Sequence, residues 1–228
     1  QHVLGQTLEE IARDKGAALR ENGLGITAPQ HPRALARLQQ SALNSKATLM
    51  QSREIVPAFD DLDGMQRENG RLALAGWRVM AESLGLEPDP VACCKTLAEV
   101  RVPGRVQRIP ASKDRPELIL DGAHNAHALH ALTQELERLR IMPETVIFSC
   151  LANKDLESMV PIVLDLTRGD ILVPALEESE RSQAPALLAQ VLGERAKSVE
   201  NTAQALDAFA DEGEQTWYFV HAVPVKRD

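Results

Sequence analysis

From residue 105 to residue 220 the chain alternates short apolar runs with stretches of helical periodicity, an order that few architectures accept. Candidate strands lie at 105–109, 118–120, 145–148, 171–173, 197–199 and 217–220. Candidate helices fall between them, at 124–139, 156–166, 185–192 and 203–210. Apolar runs without polar alternation suit strands covered on both faces, and helices joined to them by short links suit crossover connections. The expected fold class is therefore α/β, a mostly parallel Rossmann-like sheet with flanking helices. Aromatic residues make up only 3% of the chain, so its core must be built from Leu, Ala, Val and Ile.

The first hundred residues read differently. Thr7 suits an N-cap, with Glu9 and Glu10 in the first turn of a helix that should end near Arg20. A strand at 25–28, a helix opened by Pro32 and running to about Ala42, and a strand at 47–50 follow. Pro57 with Asp60, Asp61 and Asp63 marks 51–63 as an irregular crossing, and the domain boundary is expected there. A long helix from 66 to 84 and a shorter one from 90 to 100 come next. The expected division is 1–63 and 64–228.

Bulk properties exclude several function classes. With 44% hydrophobic and 25% charged residues the 228-residue chain is ordinary for a globular protein. Its formal net charge of −8 argues against nucleic acid as a partner. No apolar run reaches membrane-spanning length, so no membrane association is expected. Cys93, Cys94 and Cys150 offer no disulfide framework, which points to the cytoplasm.

Chemistry concentrates at residues 117–132, E-L-I-L-D-G-A-H-N-A-H-A-L-H-A-L. An apolar run ends at Asp121, small residues follow, and a helical stripe of Leu129, Leu132 and Leu136 begins at once. This is a strand, a tight turn and a helix, and in open α/β sheets such turns at strand carboxyl ends receive ligands. An acid at the strand tip followed by a helix N-terminus suits a nucleotide, the acid accepting from ribose and the free amides facing phosphate. His124, His127 and His130 tempt a metal reading. Successive helical residues turn by about 100°, however, so His130 drifts well round from His124, and no metal site is expected. His127 and His130 read as surface residues.

D-G-A-H-N-A-H-A at 121–128 resembles the D-G-A-H-N-P-H-A motif of folylpolyglutamate and dihydrofolate synthases, within the Mur ligase superfamily. Four further segments in the same order are similar to that family. They are L-G-Q-T-L-E-E-I-A-R-D-K-G at 4–16, Q-R-E-N-G-R-L-A-L-A at 66–75, V-P-G-R-V-Q at 102–107 and N-K-D at 153–155. Met65, Val102 and Gln107 stand where the family has His, Trp and Glu.

The resemblance implies the tail of a central ATPase domain over 1–63 and a C-terminal glutamate ligase domain over 64–228. The family's glycine-rich phosphate loop and metal ligands would lie upstream, so the chain reads as a fragment, expected to be inactive without them, and His2 is not the metal ligand. The resemblance further implies ATP with Mg2+ as cofactors, L-glutamate and a folate or pteroate as substrates, and a monomer. Asp121 would hold the ATP ribose and Arg105 its phosphate. Gln66 and Asn69 would meet adenine. Lys15 matches the carbamylated lysine, His124 would lie near the reacting phosphate and the incoming glutamate, and Lys154 would line the same cleft. Read from the residues alone, Asn69 or Asp121 could instead cap a helix, Arg105 could be a surface strand residue, Lys154 and Asp155 could be a helix start, and Lys15 could be solvated. The segment F-V-H-A-V-P at 219–224 departs from the family's G-S-L-Y-L-V, which puts glutamate handling in doubt. The alternatives are a non-catalytic Rossmann-like module for an adenine nucleotide and a peptidoglycan-precursor Mur ligase.

Overall fold

A computed structural model describes residues 7–57, 64–87, 89–100, 102–113, 116–176, 181–208 and 216–221. It forms two compact units, 1–100 and 101–228. In the first, the helices are α1 (Leu8–Gly16), α2 (Pro32–Asn44), α3 (Ser52–Ile55), α4 (Gly64–Ser83) and α5 (Pro90–Glu99). The strands β1 (Leu24–Thr27) and β2 (Thr48–Gln51) pair in parallel. Thr7 caps α1 in a reciprocal box with Glu10, as its sequence suggests. The helix is nevertheless shorter than expected, closing at Ala17.

The boundary expected at 63 is not where the units divide. Leu74 and Ala75 of α4 are buried with Val56, and Ile26, Ile55, Trp77, Cys93, Cys94 and Leu97 pack around them. This small core draws α4 and α5 into the first unit. Part of the stretch expected to be irregular is in fact ordered as the end of β2 and α3. Residues 58–63, like 1–6 and 222–224, lie outside the described residues.

The second unit is a six-stranded sheet in the order β3-β4-β8-β5-β6-β7. Its strands are β3 (Gln107–Ile109), β4 (Glu117–Asp121), β5 (Thr145–Ser149), β6 (Ile171–Pro174), β7 (Ala196–Val199) and β8 (Thr216–His221). Among the described strands of this sheet only β3 runs antiparallel, pairing Gln107 with Leu120. The remaining strands are parallel, as the alternating pattern requires. The helices are α6 (Ala126–Leu139), α7 (Leu156–Leu166), α8 (Pro185–Leu192) and α9 (Thr202–Asp207).

Side-chain alternation assigns the faces. Ile119, Val146, Phe148, Ile171 and Val173 turn to α6, α7 and α8, where Leu129, Leu132, Met159, Val163 and Leu188 bury against them. Leu118, Ile147 and Leu172 turn to the opposite face, where Ala205 of α9 covers them. The helices thus cover both faces of the sheet, and in open α/β sheets ligands bind beyond the carboxyl ends of the strands.

Candidate functional site at the carboxyl edge of the sheet

Because β3 is antiparallel to β4, the turn before it lies at the same edge as the turn after β4. The extended run expected at 105–109 begins only at Gln107; Arg105 sits in the turn. The Arg105 amide donates to the Val102 carbonyl at 3.2 Å, and the Gly104 amide to Gln107 Oε1 at 3.0 Å. Gly104 and Val106 both have positive φ, 68° and 44°. A β-branched residue in the left-handed region is strained, so something outside the turn must hold it there.

Asp121 provides that hold. Its Oδ2 accepts from the Val106 amide at 2.9 Å and its Oδ1 from the Ala123 amide at 2.8 Å. The Gly122 amide donates to the Gly104 carbonyl at 2.8 Å, a second bond between the same two turns. Asp121 is 4% exposed. That burial raises its carboxyl pKa, while the two amides and the charges of Arg105 and His124 partly offset the rise. Arg105 itself remains exposed, with its guanidinium across Gly122. A Cβ added at Gly122 would stand 3.2 Å from Arg105 Nη1, so glycine gives the guanidinium its place.

His124 completes the turn. Its Nδ1 lies 2.8 Å from the Gly122 carbonyl. A carbonyl only accepts, so Nδ1 carries the proton and a neutral ring keeps its lone pair on Nε2. Asn125, not Asp121, caps α6, accepting from the Ala128 amide at 2.8 Å. His127 and His130 are exposed, and among the described residues no three His, Cys, Asp or Glu side chains form a group able to hold a metal.

Lys154 follows β5 at the same edge. It is half-buried, its amide donating to the Leu151 carbonyl at 3.1 Å. The segment from Arg181 to Gln183 crosses this loop, with the Ala152 amide donating to Arg181 and the Gln183 amide to Cys150. Asp155 caps α7 and accepts from the Ser158 amide and hydroxyl, which hold its carboxyl below the usual range. The buried Cys150 thiol is pushed up to about 11, against the opposing charge of Lys154.

The structure thus brings Arg105, Asp121 and His124 into one turn pair and puts Lys154 on the same sheet edge. Lys15, Gln66 and Asn69 belong to the first unit. Lys15 is an exposed residue of the last turn of α1, 3.8 Å from Asp14. Gln66 and Asn69 are exposed on α4, and Asn69 lies within the helix rather than capping it. The sequence names Gln107 and Gly122 within its motifs without giving either a role, and it does not disclose the Glu68–Arg71 pair. Glu68 Oε1 accepts from Arg53 at 2.7 Å and from the buried Arg71 at 3.5 Å, tying α4 to α3 beside Asn69. An Arg three residues after a Glu in a helical pattern was the available signal.

A family model described as the Mur ligase glutamate ligase domain matches residues 104–220, which lie wholly within the second unit. The chain belongs to this family of ligases. Within it, the chain is similar to dihydrofolate synthase/folylpolyglutamate synthases. The Bacillus subtilis protein is 26% identical over 187 residues, covering 70% of this chain and 42% of that protein. The Escherichia coli protein is 28% identical over 228 residues, covering 90% of this chain and 50% of that protein. The chain therefore spans about half the length of the curated relatives it matches. Two solved structures share the fold. One is the Mycobacterium tuberculosis folylpolyglutamate synthase complexed with ADP, at a TM-score of 0.74 and 21% identity, covering 97% of this chain and 58% of that one. The other is the Escherichia coli FolC in complex with DHPP and ADP, at a TM-score of 0.75 and 24% identity, covering 97% and 56%.

Proposed function

We propose that this protein serves the ATP-dependent ligation of L-glutamate to a folate or pteroate carboxylate. The observation that carries this reading is the turn pair of Arg105, Asp121, Gly122 and His124 inside a matched glutamate ligase domain. A permanent cation lies exposed across a glycine there, at the carboxyl edge of a doubly wound sheet, which suits a phosphate.

In this reading a substrate carboxylate oxygen attacks the γ-phosphorus of ATP. ADP leaves and an acyl phosphate forms. The amine of glutamate attacks the acyl carbon, phosphate departs, and the amine gives up a proton. Arg105 offsets charge on the phosphates, as phosphoryl transfer requires. Asp121 reaches the ribose through a remaining lone pair, and Gln66 and Asn69 meet the adenine edge. The Nε2 of His124 faces the ligation centre, and Lys154 draws the carboxylates of glutamate. Lys15, once carbamylated, would become an anion on α1. ATP brings Mg2+ with it; among the described residues no three His, Cys, Asp or Glu side chains form a group able to hold that ion. Residues 1–63 would be the tail of the central ATPase domain and 64–228 the glutamate ligase domain, and the protein would be a cytoplasmic monomer that binds neither nucleic acid nor membrane. Among the described residues no helix is long and apolar enough to cross a membrane.

The test is ATP- and glutamate-dependent phosphate release by the full-length protein with dihydropteroate, tetrahydrofolate or a muramoyl peptide precursor. Release with either pteridine substrate is expected. Release with the muramoyl substrate alone moves the reading to peptidoglycan precursors. Nucleotide binding without release leaves a binding module.

A further inference from the structure

We infer that Asp121 is a positioning residue for Arg105: its carboxylate closes the turn from Val102 to Val106 onto the turn after β4, and so sets the guanidinium where it meets phosphate. This goes beyond the ribose contact proposed above, and its ligand arm rests on that nucleotide reading.

Three observations converge. Both carboxylate oxygens already bond to the chain, one to each turn. The Val106 bond spans fifteen residues and holds a β-branched residue at a positive φ that it would not adopt unaided. Gly122, between the two bonds, donates to Gly104 and leaves the space that Arg105 Nη1 fills. Releasing the Asp121–Val106 bond frees the turn to relax, and Arg105, one residue earlier, moves with it.

The competing roles predict different signs for one measurement. Inorganic tripolyphosphate has no ribose, so a side chain acting only on ribose leaves its binding unchanged. Removing a negative charge beside a phosphate site, with no change in Arg105, tightens binding. Loss of positioning weakens it. The experiment compares tripolyphosphate and ATP binding to the full-length protein and its Asp121→Asn, Asp121→Ala, Arg105→Ala and Asp121→Asn/Arg105→Ala variants. Arg105→Ala and Asp121→Ala are each expected to weaken tripolyphosphate binding about tenfold, the scale of one charge-assisted contact, and Asp121→Asn to do so where it releases the Val106 amide. The double variant is expected to be no weaker than Arg105→Ala. Unchanged or tighter binding in Asp121→Ala, or in an Asp121→Asn whose Val106 amide has lost protection, or additive losses in the double variant, overturns the inference.

Amide hydrogen exchange judges the clamp without any ligand. Asn can accept from only one of the two amides. Val106 or Ala123 is therefore expected to lose protection in Asp121→Asn, and both in Asp121→Ala, with amides of β5 unchanged. Protection of Val106 and Ala123 in both variants overturns the clamp. A wild-type protein that binds neither tripolyphosphate nor ATP overturns the nucleotide reading instead, and the exchange data then decide the clamp alone.

Discussion

Asp121 accepts from the amide of Val106 at 2.9 Å across fifteen residues of chain, and the same carboxylate accepts from Ala123 at 2.8 Å. A buried carboxylate with two amide donors is held by opposing effects. Desolvation raises its pKa above 3.8 and is the larger effect; the amides, Arg105 and His124 lower it. A carboxyl whose folded pKa is raised binds its proton more tightly in the folded state. Its contribution to stability is therefore fully present below the unfolded value of 3.8 and is lost as pH rises through the folded value. Asn cannot titrate, so the stability of Asp121→Asn relative to wild type should rise as pH climbs from 3.8 through that window. Thermal midpoints of the two proteins across pH 3.5 to 7 check this, and a difference independent of pH refutes it.

Gly122 offers a milder probe of the same geometry. An added Cβ would lie 3.2 Å from Arg105 Nη1, the far end of a flexible, exposed side chain. The fold can absorb the methyl by moving the guanidinium. Gly122→Ala should therefore unfold within about 1 kcal/mol of wild type yet bind ATP several-fold more weakly. Denaturant unfolding and calorimetric titration read the two quantities separately. Unchanged affinity would show that Arg105 does not need its place across Gly122.

The three cysteines should divide by reactivity. Cys150 is fully buried, with its thiol pushed up to about 11, whereas Cys93 and Cys94 are half-buried on α5. With that pKa only about one thiol in a thousand is ionised at pH 8, and the thiolate is the nucleophile. Timed alkylation followed by peptide mass spectrometry should label Cys150 only at the rate of unfolding. Rapid labelling of Cys150 in the native protein would contradict its burial.

How far the sequence disclosed all this depends on the range of the forces involved. Val146, Ile147 and Phe148 are buried on both faces of the sheet, and burial of that kind shows as an unbroken apolar run. Leu129, Leu132 and Leu136 are the buried stripe of α6, and helical spacing exposes such a stripe. The turn of Arg105 reads as strand in the sequence because Val106 favours extended backbone. Its positive φ is imposed by Asp121, which no local pattern around Val106 reveals. The place of β8 between β4 and β5 is likewise a matter of long-range pairing. The boundary moved because the spacing of Leu74 and Ala75 marks a buried face without saying which unit buries it. Of the candidate site residues, Arg105, Asp121 and His124 came together, and their mutual geometry rests on backbone groups that carry no sequence identity.

Thr167 tests the opposite end of the sheet. Its side chain is buried, and its hydroxyl lies 2.8 Å from the carbonyls of Pro143 and Glu144 while accepting from the Gly169 amide at 2.9 Å. Arg195 donates to the Thr167 and Leu164 carbonyls, at 2.5 and 2.8 Å, so loops at the amino edge of β5, β6 and β7 meet at one residue. Thr167→Val keeps the shape and removes the hydroxyl, leaving the Gly169 amide without its acceptor. Such a loss costs about 1–3 kcal/mol, which in a chain of this size lowers the thermal midpoint by roughly 2–4 °C per kcal/mol. Thr167→Ser keeps the hydroxyl and should lose much less. ATP affinity should stay at the wild-type value in both, because the turn pair of Arg105 and Asp121, the proposed nucleotide site, lies beyond the carboxyl ends of the strands. A Val variant as stable as the Ser variant would show that the hydroxyl does not hold this edge together. A fall in ATP affinity would show that the two ends of the sheet are coupled.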